Sequence, residues 1–178
     1  MKTIREAAGE DIVILGCGCP VAGGIGWVDT MRVSADAGPS WFPDQPWRYD
    51  KTNMPAGRNM VRNSLTRLTC HNRWWSNDPD CMLIREATKL SINELRGIAT
   101  VVALTGGPFV VSDNLSNVGE DRLRMIRSLL PVTGVAARPV DILTSEMPEI
   151  LELKRSNASA GQWTILALCN WADKTKVR

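Results

Sequence analysis

The stretches DIVILGCGCP (residues 11–20) and MRVSAD (residues 31–36) decide how this chain is read. In the first, Ile12-Val13-Ile14-Leu15 is a short β-branched apolar run closed by glycines. That is the pattern of a strand buried on both faces in a parallel sheet. Its GxG turn lacks the third glycine and the following helix of a nucleotide fingerprint. The second stretch reads as another strand, residues 31–35, ending at Asp36. Working outward, residues 2–9 read as helical turns closed by Gly9. Residues 37–57 form a long loop rich in Pro, Gly and Trp, and loops of that length are often functional.

A helical pattern over residues 59–68 leads to a third strand at residues 71–76, with Asn77-Asp78-Pro79-Asp80 as its exit. Ser91 and Glu94 have capping-box spacing ahead of Leu95, Ile98, Ala99, Val102 and Ala103, which recur at helical period. Gly106-Gly107 ends that helix. A fourth strand at residues 108–111 runs into Ser112-Asp113-Asn114, and a helix over residues 120–130 stops at Pro131. Beyond it the pattern changes to short strands, expected at residues 141–143, 150–153 and 164–170.

Four strand–helix units in series imply a parallel α/β arrangement. Cys17, Asp36, Asp78, Asp80 and Asp113 each follow a strand, where β/α barrels carry their active sites. A full barrel takes about 250 residues. The expected fold is therefore α/β, half of a TIM (β/α)8 barrel over residues 1–133, followed by a short all-β segment over residues 134–178.

Composition narrows the function classes. Among 178 residues, 44% are hydrophobic and 22% charged, ordinary for a globular protein. A net charge of +2 argues against nucleic acid or an anionic membrane as partner. The basic residues often neighbour acids, as in Glu120-Asp121-Arg122 and Asp173-Lys174, which reads as solvated surface. Cys17, Cys19, Cys70, Cys81 and Cys169 are odd in number and include no CxxC pair, and His71 is the only histidine. No metal site and no disulfide framework is expected, and the thiols suggest a reducing, cytoplasmic setting. The charged start MKTIREAAGED lacks the apolar region of a signal peptide, and residues 98–104 are too short to cross a membrane. Seven tryptophans, among them Trp27, Trp41, Trp47, Trp74 and Trp75, read either as packing or as platforms for sugar rings.

Four segments in order carry a family resemblance: ILGCGCPVAGGIGWVDTMRVSADAGPSW (14–41), WWSNDPDCMLIR (74–85), LSINELRG…ALTGG…VSDNL within 90–118, and WTILALCNW (163–171). Together they resemble the α-galactosidases of glycoside hydrolase family 36, the melibiase type. The resemblance implies barrel strands five to eight and the opening of a C-terminal β-domain. It implies Asp36 as catalytic acid/base, with Cys17, Arg32, Asp80 and Cys81 binding substrate. Arg32 would hold sugar hydroxyls or position the nucleophile. Retention of configuration needs two carboxyls about 5–5.5 Å apart, one attacking the anomeric carbon and one moving the proton. The substrate implied is a terminal α-galactoside, with no cofactor.

Each residue also has a plain structural reading. Asp36 before Ala-Gly-Pro could be a turn aspartate, and Cys17 a small buried residue. Asp78 reads as shaping its loop, Asp80 as loop or pocket support, and Asp113 as structural. The family's strand-four nucleophile, and the acidic pair and lysine that bind the sugar, have no counterpart here. The expected partner is then a second polypeptide or N-terminal half completing the barrel, or a further copy of the chain, since a half barrel leaves sheet edges open. The alternatives are a non-catalytic remnant that self-associates or binds carbohydrate, and a galactosyl-transferring relative.

Overall fold

The computed structural model describes residues 1–45 and 52–172, so Trp47 and the Asp173-Lys174 pair lie outside the described residues. Helix α1 (Lys2–Ala8) leads to strand β1 (Leu15–Gly16), and a short helix α2 (Val21–Gly24) to β2 (Thr30–Arg32). Helix α3 (Gly57–Thr66) and a 3-10 turn (Leu68–Cys70) precede β3 (Ser76–Asp78) and β4 (Cys81–Met82). Helix α4 (Ile92–Thr105), β5 (Val110–Val111) and α5 (Glu120–Arg127) complete the α/β part. Strands β6 (Arg138–Pro139), β7 (Ile150–Asn157) and β8 (Gly161–Leu168) follow.

The described residues form three sheets. Strands β1-β2-β3 are parallel, with Arg32 opposite Asp78; β4 and β5 form a separate parallel pair; β6-β7-β8 are antiparallel. The parallel strands thus form two short sheets. The break falls at Pro79-Asp80, where Asp80 adopts φ 84°, a conformation that β-sheet cannot continue.

The local signals explain the longest elements. Ser91 caps α4, its hydroxyl accepting from the Glu94 amide while the Glu94 carboxylate accepts from the Ser91 amide. Leu95, Ile98, Val101 and Val102 on α4 are buried, each contributing about 1.5–3 kcal/mol by removal from water. They join α3 residues Val61 and Leu65, Met82 and Ile84, and β7 residues Leu151 and Leu153 in one continuous core. A smaller cluster of Val28, Met31, Val33 and Trp75 packs beneath the first sheet.

Several expectations are corrected. The run at residues 12–15 is not a doubly buried strand: only Leu15–Gly16 pairs, and Ile12, Val13 and Leu15 are exposed. Strand β1 is the edge of its sheet, so no second strand pairs with it among the described residues. The third strand begins at Ser76, because Asn72 at φ 58° turns the chain and buries Trp75 in the small cluster. Residues 141–143 form a turn, since the Asp141 carboxylate accepts the amides of Glu149 and Ile150. The antiparallel strands β7 and β8 are longer than expected.

Trp75 is buried, and Trp41 and Trp171 pack against the main core. Trp41 and Trp171 stack at 6.3 Å and 20°. An added Cβ on Gly57 would lie 3.3 Å from Trp41, and one on Gly97 3.4 Å from Trp171. Small residues on α3 and α4 therefore flank the pair. Trp74 and Trp75 meet edge-on at 5.5 Å.

Candidate active site

Strand β2 delivers Arg32 at its end, and the parallel register sets Asp78 of β3 beside it. The Arg32 Nη1 lies 3.2 Å from Asp36 Oδ1 and 2.9 Å from Asp80 Oδ2, and its Nε lies 3.6 Å from Asp78 Oδ2. One guanidinium thus bridges three carboxylates contributed by two successive strand ends. Although burial works against its charge, Asp80 and then Asp78 hold the Arg32 pKa above its ordinary value.

The three aspartates differ in setting. Asp78 and Asp80 are buried, whereas the Asp36 side chain is 72% exposed. Asp78 Oδ1 accepts from the Asp80 amide at 2.8 Å, the local loop-shaping bond expected of it. Asp80 Oδ2 accepts from the Ala37 amide at 2.6 Å and its Oδ1 from the Cys81 amide at 2.6 Å. Asp80 therefore ties the segment after β2 to the segment after β3. From the other side the Ala56 amide donates to the Asp36 carbonyl at 3.2 Å. Gly38 permits this contact: a Cβ there would lie 2.8 Å from Ala56 Cα and N. The peptide group between Asp36 and Ala37 is thus held on both sides, while the Asp36 side chain is exposed.

Cys17, Arg32 and Asp36 line one open concavity of about 450 Å³, joined by Asn63 and Arg67 from α3. Cys17 is exposed, so the buried-apolar reading of that thiol does not hold. Asp80 and Cys81 do not line this concavity; they stand behind Arg32. Burial, and then the Asp80 carboxylate beside it, push the Cys81 thiol up to about 11. That thiol is a neutral packing group at ordinary pH. Asp113, whose side chain is 1% exposed, accepts from the Ile84 and Arg85 amides and pairs with the Arg85 guanidinium at 2.5 Å, so its oxygens are taken by the segment that follows the neighbouring strand β4.

Asn63 and Arg67 were not singled out from sequence. The signal was present: Asn59, Asn63 and Arg67 recur at four-residue spacing on a helix that also carries Met60, Val61 and Leu65. Asn59 and Asn63 are buried, which marks that stripe as facing the protein. Arg67 donates to the Val33 carbonyl at 3.0 Å, placing α3 against the end of β2.

A half-buried guanidinium thus gathers three carboxylates at the ends of parallel strands, beside an open concavity. No family model matches the chain. Its structure is similar to that of the α-galactosidase from Thermus thermophilus in complex with p-nitrophenyl α-D-galactopyranoside. The TM-score is 0.65 and the identity 29%, over 74% of this chain and 27% of that one. The same enzyme in complex with stachyose matches with a TM-score of 0.65 and 30% identity, over 72% of this chain and 28% of that one. The α-galactosidase I of Mortierella vinacea shares the fold, with a TM-score of 0.55 at 14% identity over 79% of this chain and 37% of that one. The chain is therefore α-galactosidase-like over about three quarters of its length, as its motifs indicate. It spans little more than a quarter of the Thermus enzyme's length. Among the described residues, no helix is long and apolar enough to cross a membrane.

Proposed function

We propose that this chain carries the acid/base part of a retaining α-galactosidase, with barrel strands five to eight in residues 1–133 and the opening of a β-domain in residues 134–178. The observation that carries this reading is the Arg32 guanidinium joined to Asp36 and Asp80 beside the concavity. Similarity to an α-galactosidase bound to galactosides supports it. Asp36 protonates the glycosidic oxygen as the bond to the anomeric carbon breaks. A nucleophilic carboxylate outside these 178 residues forms the glycosyl–enzyme bond. Asp36, now a carboxylate, takes a proton from the water that breaks that bond, and the sugar leaves with its configuration retained. Arg32 orients Asp36 and donates to sugar hydroxyls, Cys17 forms part of the sugar-facing wall, and Asp80 with Cys81 supports both from behind.

The nucleophile and the remaining strands would come from an N-terminal half, a second polypeptide or a further copy of the chain. The exposed apolar run at Ile12, Val13 and Leu15, on the free side of β1, is the surface those strands would cover. The Asp36 side chain is 72% exposed, and the missing strands would enclose it. The five unpaired thiols suit a reducing compartment.

The test is hydrolysis of an aryl α-galactoside by the purified chain alone and together with a polypeptide encoding the preceding strands. Negligible turnover alone and activity in combination are expected, with Asp36→Asn lowering the combined rate by about 10²–10⁴-fold. Combined activity that survives Asp36→Asn would sink the assignment.

A further inference from the structure

The segment that leaves β2, residues 33–37, carries Asp36. Three anchors tie it to the exit of β3. The Val33 amide donates to the Asp78 carbonyl at 2.9 Å, the Ser34 hydroxyl to the Pro79 carbonyl at 2.7 Å, and the Ala37 amide to the Asp80 carboxylate at 2.6 Å. From the end of α3, Arg67 reaches the same segment, its Nη1 donating to the Val33 carbonyl at 3.0 Å.

Arg67 is itself held in place. The same Nη1 donates to the Asn63 carbonyl at 3.4 Å, and the Arg67 carbonyl accepts from the Asn77 side-chain amide at 3.0 Å. Asn77 is fully buried in β3. Its side-chain oxygen accepts from the Trp75 indole at 3.2 Å, and its backbone amide donates to His71 Nδ1 at 3.1 Å. An amide bonded in this way is a fixed point, because moving it would leave its partners unsatisfied away from water. The parallel register sets Asn77 opposite Met31 of β2. The contacts therefore close a ring, from Asn77 through Arg67 to Val33 and back along β2 to Met31. Both hydrogen bonds of the Arg67 guanidinium go to backbone carbonyls, so they fix the course of the chain.

We propose that Arg67 is a positioning residue for the proton transfers of Asp36. It holds the Val33–Ser34 peptide, and with it the path of the chain from Arg32 to Asp36. Without it the segment loses its anchor to the end of α3, and the exposed Asp36 carboxylate moves more freely about Arg32. This inference rests on the reading of Asp36 as the acid/base.

The test uses the chain combined with a polypeptide encoding the preceding strands, as Arg67→Met and as Arg67→Gln, which is polar but shorter. Cleavage of methyl α-galactoside needs a proton on the leaving oxygen, whereas dinitrophenolate leaves without one. Both variants should lower kcat/KM for the methyl glycoside by about 10²-fold, the cost of a misplacement of about 1 Å, and leave that for the dinitrophenyl glycoside unchanged. Azide bonds to the anomeric carbon as the nucleophilic carboxylate leaves, and needs no base. It should therefore restore kcat on the dinitrophenyl glycoside. A role in folding alone would lower both substrates together, and azide would not help. Equal losses on both substrates, or none, would overturn the proposal, whereas activity that survives Asp36→Asn would overturn the acid/base reading beneath it. Hydrogen exchange on the chain alone decides the question if the combined polypeptides are inactive. Residues 33–37 should exchange faster in both variants, with α4 unchanged. Unchanged exchange at residues 33–37, or an equal rise in α4, would overturn the anchoring.

Discussion

Asp80 holds Arg32: Oδ2 of the aspartate lies 2.9 Å from the Arg32 Nη1 and also accepts the Ala37 amide at 2.6 Å. The guanidinium that faces Asp36 is thus held by a buried carboxylate from the next strand's exit. Asp80→Ala leaves Arg32 with Asp78 at 3.6 Å and the exposed Asp36, and leaves the Ala37 amide without its acceptor. Breaking a pair of this burial should cost about 3 kcal/mol. Urea denaturation should show a lower midpoint at unchanged slope. A loss under about 0.5 kcal/mol, the range of ordinary surface substitutions, would show that Asp80 does not organise the cluster.

Gly38 tests the other anchor of Asp36. A methyl group there meets the Ala56 backbone at 2.8 Å, with no flexible side chain to give way. Gly38→Ala should destabilise by about 1–3 kcal/mol through overpacking. Gly23→Ala is the control, since its Cβ meets only Pro20, at 3.8 Å. Comparable losses in both variants would show that the Gly38 contact is not special.

His71 should give a pH dependence near neutrality. The Asn77 amide donates to its Nδ1 at 3.1 Å, so Nε2 carries the proton facing the Gly134 carbonyl at 3.3 Å. Burial lowers its pKa below 6.5, although the Gly134 carbonyl works the other way. The folded state therefore prefers the neutral ring. That preference stabilises fully above pH 6.5 and is lost as pH falls through the lower folded value. Thermal melts should hold steady at neutral pH and drop on descending below pH 6.5, with the drop flattened in His71→Gln. An unchanged pH profile in that variant would assign the drop to other groups.

Asp29 acts in a lower window. The Ile14 amide, and then the Arg5 side chain, hold its carboxyl below 3.8. The Arg5 guanidinium is buried and pairs with Asp29 at 2.5 Å, while also donating to the Ile12 carbonyl at 2.8 Å. The stabilisation is present above pH 3.8 and is lost as pH falls through the folded value. Asp29→Asn should melt lower at neutral pH, and its curve should converge on that of the unsubstituted chain in acid. A constant gap between the two at every pH would place the effect in packing.

Legibility varied with the range of the interaction concerned. The Ser91–Glu94 cap, the end of α4 at Gly106 and the start of α5 could be read directly, because capping and turn preferences act over three or four residues. The run at residues 12–15 was misread because periodicity reports apolar faces and not what covers them. Residues 141–143 have strand composition, yet a single carboxylate reaching Glu149 and Ile150 turned them into a loop. At the candidate site, Cys17, Arg32 and Asp36 were legible only through the resemblance of residues 14–41 to family 36, since each residue type alone also fits a structural reading. Asn63 and Arg67 were not, because their helix joins the site only after the long loop folds back.

Residue order alone specified the α/β start, the strictly local signals, the all-β end, and a motif series matching α-galactosidases. All of these are carried by short windows of chain. Tertiary structure decided which carboxylate is exposed and which is buried, since Asp36 and Asp80 share a residue type and both follow strands. Their difference arises from parallel register, which brings Asp78 beside Arg32, and from the left-handed turn at Asp80 that aims its carboxylate back at Ala37. Contacts between residues more than forty positions apart depend on packing and hydrogen-bond geometry across strands, and no local preference encodes them.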